Sequence, residues 1–179
     1  MLELEVKVLN VDLDLMEKKL LDLGAKLIDH EKQKNIIIDR PDSSIQKDLD
    51  AYLRIREKRG LDGRTTRTLT FKKSLGDSEL RKNVELDLTI NSQEEEENLL
   101  KILSQLGYGV VSIGYKDRRS LVWENIRFDL DIWDKDTYPY PYMEIELERE
   151  EDLARAIRLL DLDPKNISTD SIVDLKNKL

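Results

Sequence analysis

The chain has 179 residues, enough for one domain with a single sizeable core and too few for two comfortable ones. It carries 38 Asp and Glu against 30 Lys and Arg, a net charge of −8, which argues against a sequence-independent nucleic-acid binder, because that role needs a net basic surface, and leaves room only for a local basic patch. It has no cysteine for disulfide or thiolate chemistry, and no apolar run suited to a signal peptide or a membrane span, so a cytoplasmic location is expected.

Charged residues make up 38% and hydrophobic residues 39%, yet the apolar positions recur periodically, which predicts an ordered fold with its charge on organised faces. The opening segment Met1 to Asn10 alternates Leu2, Leu4, Val6 and Val8 with Glu3, Glu5 and Lys7, as a strand would. Helical spacing follows from Val11 to Leu23, with Asp12 as N-cap and Gly24 as stop. Residues 25–39 read as a strand and 40–48 as a polar loop. Segments 50–58 and 66–73 read as a hairpin turning at Leu61-Asp62-Gly63. A further strand spans 81–90. Ser92 and Glu95 then form a capping-box pattern that opens a helix ending at Gly107. Strands are predicted at 110–123, 126–133 and 142–149, the first two joined at Glu124-Asn125 and the last preceded by Tyr138-Pro139-Tyr140-Pro141-Tyr142. Helical periodicity returns over 151–160 and, weakly, over 170–179.

Splitting each strand by parity separates two faces. One is apolar: Leu53 and Ile55, Leu69 and Phe71, Val84, Leu86 and Leu88, Phe128, Leu130 and Ile132, Met143, Ile145 and Leu147. The other holds Glu3, Glu5 and Lys7, Arg54, Arg56 and Lys58, Lys72, Glu85 and Asp87, Lys116 and Arg118, Arg127, Asp129 and Asp131, and Glu144, Glu146 and Glu148. An antiparallel sheet with one wet face produces the same alternation. Two features favour an enclosed face instead. Solvated strand faces mix in Thr, Ser and Gln, whereas here same-sign pairs recur two residues apart, and these repel unless an opposite charge lies between them. A closed sheet of about eight strands can enclose a polar lumen with room for a small ligand. Charges of both signs in such a lumen suit a polyanion with its metal ions.

Glu3-x-Glu5-x-Lys7 resembles the ExExK signature of the CYTH domain, or triphosphate tunnel metalloenzyme, family, which includes class IV adenylyl cyclases, thiamine triphosphatases and inorganic triphosphatases. Later strands resemble the family in order: Leu53-Arg54-Ile55-Arg56, Leu69-Thr70-Phe71-Lys72, Glu85-Leu86-Asp87, Lys116-Asp117-Arg118, Asp131-Ile132-Trp133 and Glu144-Ile145-Glu146. Ser168-Thr169-Asp170-Ser171 resembles a frequent C-terminal segment of the family. The resemblance implies an α+β fold, a closed eight-stranded antiparallel β-barrel with helices outside, formed by residues 1–179 as one domain.

It further implies that Lys7, Arg54, Arg56, Lys72, Lys116 and Arg118 bind phosphate and that Glu3, Glu5, Asp131, Glu144 and Glu146 hold Mg2+ or Mn2+. Glu3, Glu5 and Lys7 would form the catalytic core, supported by Glu85, Asp87 and Asp129. The Pro-x-Pro segment between Asp134 and Tyr142, and aspartate at position 87, depart from the commoner pattern. The substrate implied is a small triphosphate: ATP for a cyclase, inorganic or thiamine triphosphate for a hydrolase. A non-catalytic nucleotide or polyphosphate binder is a third reading, disfavoured by the intact acidic set. No nucleic-acid or membrane partner is implied, and a homodimer is compatible with the sequence. His30, the sole histidine, lies in a charged stretch and reads as an ordinary strand residue rather than a base.

Overall fold

A computed structural model gives the architecture; it describes residues 2–77 and 81–179, apart from the side chains of Leu2, Glu3 and Asp77. The elements run β1 (Leu2–Val8), α1 (Leu13–Asp22), β2 (Lys26–Asp39), α2 (Ser44–Leu49), β3 (Ala51–Arg59), β4 (Thr65–Asp77), β5 (Arg81–Ile90) and α3 (Gln93–Gln105). Then come β6 (Gly109–Trp123), β7 (Ile126–Trp133), β8 (Tyr142–Leu147), α4 (Asp152–Leu160), a 3-10 turn at Pro164–Asn166, β9 (Ile167–Ser168) and α5 (Ile172–Asn177).

The strand order is β5-β4-β3-β2-β6-β7-β8-β1-β9, and an antiparallel β5–β1 pairing closes eight strands into a barrel. This is the expected α+β barrel with helices outside. β1 is the closing strand. One edge pairs with β8, Lys7 opposite Glu144, and the other is divided between β5, which takes Leu2 to Glu5, and β9, which takes Lys7 and Val8.

Local chemistry explains the predicted ends. The Asp12 carboxylate accepts from the Leu15 N–H at 3.0 Å and caps α1. Ser92 caps α3 by accepting from Glu95 N, but Glu95 reaches back to Asn91 N at 2.8 Å rather than to Ser92, so the box is displaced by one residue. Two elements lie beyond the sequence reading. The first is α2, inside the segment expected to be loop, where Asp39 Oδ1 accepts from Arg40 N and Ile45 N and Oδ2 from Gln46 N. The second is the two-residue β9.

The apolar parity faces outward, where helices cover it unevenly. α1 and α4 bury Val6, Leu121, Phe128, Leu130, Met143 and Ile145 in one cluster. α3 lays Leu99, Leu100 and Leu103 over Ile36, Ile38 and Ile55. Leu86, Leu88 and Ile132, in the same apolar set, are left 62%, 60% and 46% exposed. His30 is on this outer side, its ring 2.8 Å from Asp117. Among the described residues no helix is long and apolar enough to cross a membrane.

Uneven coverage has a measurable signature. Phe128→Ala, a truncation at a fully buried site, should cost about 3–5 kcal/mol in urea unfolding. Leu88→Ser, on the same parity but exposed, should stay within about 0.5 kcal/mol; a large loss there would show that β5 is covered in solution.

Candidate active site

Alternation along each strand sends the charged parity into the lumen. β1 contributes Glu5 and Lys7, β3 Arg54 and Arg56, β4 Lys72, β5 Glu85, β6 Lys116 and Arg118, and β8 Glu144 and Glu146, all lining one cavity of about 450 Å³. β7 adds Asp129 and Asp131, both fully buried beside it. The backbone of Glu3 pairs with Asn83 in the closing strand, while its side chain lies outside the described residues.

Arg118 is the hub. Its Nε and Nη2 donate to the two oxygens of Asp131, both at 2.6 Å, a planar fork that lysine could not make. Its Nη1 donates to Asp129 at 2.6 Å, and Nη2 also reaches Glu144. Lys116 Nζ donates to Asp131 at 2.8 Å. A second knot surrounds Glu5, which accepts from Lys72 Nζ at 3.2 Å and from Asn83 Nδ2 at 3.3 Å, with Lys7 and Arg81 each 3.9 Å away. Lys7 joins the knots through Glu144 at 3.3 Å.

Three of the acids form a tighter group. One oxygen each from Asp129, Glu144 and Glu146 lie within 4.8 Å of one another, an all-oxygen set of the kind that holds a hard divalent cation. Glu5 and Asp131, also expected as metal ligands, are ion-paired to Lys72 and to Arg118 and Lys116, as Glu144 is to Lys7 and Arg118. Glu85 lies 3.7 Å from Arg54, and Asp87 accepts from Thr70 Oγ1 at 2.6 Å on the exposed part of β5. Glu148 is exposed past the end of β8.

Burial alone would raise a carboxyl pKa and lower that of a base. For Glu144, burial is outweighed by Lys7, Arg118 and Lys116, which hold its carboxyl well below the usual range. Glu5 is lowered in the same way, against burial, by Lys7 and Lys72. Asp129 is lowered, against burial, by Arg118 and Arg127. Burial and the neighbouring Arg118 push the Lys116 ammonium down to about 8 although Asp131 opposes them. Burial, then Arg54 and Arg118, bring Arg56 down to about 10. Arg118 itself stays well above its ordinary value, because Asp131, Asp129 and Glu144 outweigh its burial. Buried acids are thus held ionised by buried bases, while Lys116 and Arg56 are lowered first by their own burial.

The lumen also holds residues that sequence parity did not single out. Glu31, Gln33 and Asn35 on β2 are 3%, 2% and 1% exposed. The Asn35 amide oxygen accepts from Arg56 Nε at 3.4 Å, while its Nδ2 and the Arg54 Nε have no hydrogen-bond partner among the described residues. Arg81, Asn83 and Tyr52 line the cavity as well. At the mouth, α5 packs Leu175 and Ile172 against Tyr138, Tyr142 and Trp133, and Lys176 donates to the Asp136 carbonyl. The α5 cap is a full capping box between Ser171 and Asp174, within the C-terminal segment noted in the sequence.

Solved structures with this fold are known from distant organisms. The PH1819 protein of Pyrococcus horikoshii OT3 is 22% identical, with a TM-score of 0.77 over 98% of both chains. A proposed adenylate cyclase from Vibrio parahaemolyticus is 16% identical, with a TM-score of 0.75 over 99% of this chain and 98% of that one. Hippeastrum HpAC1, a proposed adenylyl cyclase with a dominant triphosphatase activity, is 16% identical, with a TM-score of 0.72 over 99% of this chain and 96% of that one. No curated protein matches the chain. At these identities the likeness carries the fold alone. The CYTH domain family profile, however, matches residues 1–171, and with a match of that extent the chain belongs to the CYTH domain family.

Proposed function

We propose that this protein is a divalent-metal-dependent enzyme acting on a triphosphate held in the tunnel, with the class IV adenylyl cyclase reaction, ATP to cyclic AMP and pyrophosphate, as the leading reading. The observation that carries it is that one cavity is lined by the bases Lys7, Arg54, Arg56, Lys72, Lys116 and Arg118 and by Glu144 and Glu146, which converge with Asp129. A simple anion binder has no use for those acids. A polyanion that arrives with its cations uses both sets.

In this reading Lys7, Arg54, Arg56, Lys72, Lys116 and Arg118 grip phosphate oxygens. Asp129, Glu144 and Glu146 would hold Mg2+ or Mn2+, with Glu3, Glu5 and Asp131 as the further acids the family resemblance points to; the all-oxygen donor set fits either ion. Once bound, the metal would neutralise phosphate charge and lower the pKa of the attacking hydroxyl. Asp131 orients Arg118 and Lys116. The present ion pairs are exchangeable: Lys7 and Arg118 now neutralise Glu144, and phosphate would take over the bases as the cations take the acids. Phosphoryl transfer asks mainly for positioning and charge neutralisation, so no protein nucleophile is needed.

The triphosphatase reading uses the same residues with water as nucleophile, and the dominant triphosphatase activity of HpAC1 supports it. Product identification separates the two. Incubation with ATP, inorganic triphosphate and thiamine triphosphate, each with Mg2+ or Mn2+, should yield cyclic AMP and pyrophosphate from ATP. Orthophosphate release without cyclic AMP would replace the cyclase by the triphosphatase, and no product from any of the three would leave only a binding module.

Glu144→Gln should lower turnover by roughly 10²–10³-fold, the scale for losing one preorganised charge contact, while far-ultraviolet circular dichroism stays unchanged. A retained rate, or activity in excess chelator, would remove the metal from the scheme.

Lys116 supplies a pH test. With its pKa near 8 in the free protein, the ammonium is partly neutral at pH 8–9, and a polyanion beside it favours the charged form. Binding of inorganic triphosphate in chelator should therefore take up protons above pH 8, and affinity should fall as pH rises through that value. Calorimetry in buffers of different ionisation enthalpy reads the uptake, which Lys116→Arg should abolish.

A further inference from the structure

The barrel is closed over only part of its seam. β1 covers β5 from Arg81 to Val84, but Glu85 to Ile90 run on past Leu2 and have no strand on that edge among the described residues. Their other edge is fully paired with β4, from Lys72 opposite Glu85 to Arg67 opposite Ile90. A row of main-chain donors and acceptors therefore faces solvent, which is the feature an extended segment adds to. Such edges are ordinarily blunted by Lys, Pro or a bulge. Between Glu85 and Ile90 there is no Lys, Pro or Gly, and the register is unbroken.

The two faces beside this edge differ in chemistry. On the outer face Leu88 stands opposite Leu69, and Leu86 opposite Phe71. Leu69 and Ile90 belong to the cluster under α3, whereas Leu86 and Leu88 continue the same apolar surface uncovered. On the inner face Asp87 is exposed; Thr70 Oγ1 donates to it at 2.6 Å, and among the described residues no base pairs with it. Past the end of β8, where Leu147 faces Leu4 of β1, Glu148 is exposed as well. The gap in the seam is thus apolar outside and acidic within.

We infer that the free edge of β5 is a docking site for an extended segment of another protein that alternates bulky apolar residues with Lys or Arg, added antiparallel to β5 in line with β1. The main chain supplies affinity, Leu86 and Leu88 receive the apolar side chains, and Asp87 receives a basic one. A second copy of this chain does not fit. Two-fold pairing of β5 centred on Asp87 sets that residue against itself, and pairing centred on Leu86 sets Glu85 against Asp87. Pairing centred on Leu88 leaves the two Asp87 carboxylates diagonal, between chains that each carry −8. The same acid that rejects a copy admits a basic strand. The site is independent of the triphosphate reading.

Fluorescence anisotropy with a labelled heptapeptide alternating Val and Lys tests this on the full chain. It should bind about tenfold or more tightly than the same residues arranged as a block of Val and a block of Lys, the scale of several main-chain hydrogen bonds. A peptide alternating Val and Glu should be weaker still. An added strand turns only one of its edges to β5. N-methylation of every Val, or of every Lys, should therefore give two peptides of equal charge, one binding like the parent and the other about tenfold or more weaker. Leu88→Ser and Asp87→Asn should each weaken the parent peptide about twofold to fivefold, the scale of one cross-strand pair, while Glu94→Gln on the exposed part of α3 leaves it unchanged. Absence of binding, equal binding of the block peptide or of both N-methylated forms, or unchanged affinity in the folded Leu88→Ser protein would overturn the docking edge. Should Asp87→Asn fail to fold without its Thr70 contact, Leu88→Ser and the N-methylated pair decide. A wild-type dimer in sedimentation that Leu88→Ser dissociates would give the edge to a second copy and overturn the basic strand.

Discussion

Arg118 sits where three carboxylates from two neighbouring strands converge, and the rest of the lumen is arranged around that point. A guanidinium at 4% exposure is tolerable only because Asp129, Asp131 and Glu144 neutralise it together. Those acids are tolerable only because Arg118, Lys7, Lys116 and Arg127 answer them. Removing one member of such a set leaves the others buried and unpaired, which typically costs several kcal/mol. The ion-pair web is therefore best regarded as an architectural constraint: it fixes which strands can be neighbours and in which register, since a one-residue slip would send each charge to the outer surface.

That constraint separates the charge balance of the interior from that of the whole chain. The net charge of −8 is a property of the whole chain, whereas inside the barrel bases and acids answer one another pair by pair. Acids such as Glu94, Glu97 and Glu148 are exposed and screened by solvent. The interior bases are not. A low-dielectric wall separates the two populations, so the balance of charge inside the barrel is set independently of the balance outside.

Most of the barrel was legible because its strands alternate cleanly: eight were predicted and eight close the ring. The inner face was legible wherever a strand carried same-sign doublets, as with Arg54 and Arg56 or Glu144 and Glu146. β2 hid its face because both parities are polar, Lys32 and Lys34 outside against Gln33 and Asn35 within. Asp129 and Asp131 share a parity and both bind Arg118, so periodicity could not say that Asp129 rather than Asp131 would converge with Glu144 and Glu146. α2 escaped because its six residues are organised by Asp39, a contact outside the helix itself, and β9 because two residues become a strand only through the partner they meet. Outward apolar positions were readable as such; which of them a helix would cover was not.

The divided edge of β1 also bears on how the molecule comes to exist. β1 must pair with β8 and with β5, and even the nearer contact, Asn83 with Glu5, spans 78 residues. Contacts so distant in sequence form slowly, because loop closure has to be offset before they yield any gain. Until β1 docks, Glu5 and Lys7 are absent from the ring, and Lys72, Asn83 and Glu144 lack their partners. Closing the barrel and completing the charged ring therefore need the same strand pairings. Any ligand that recognises only the finished ring would draw the population toward the closed barrel by mass action.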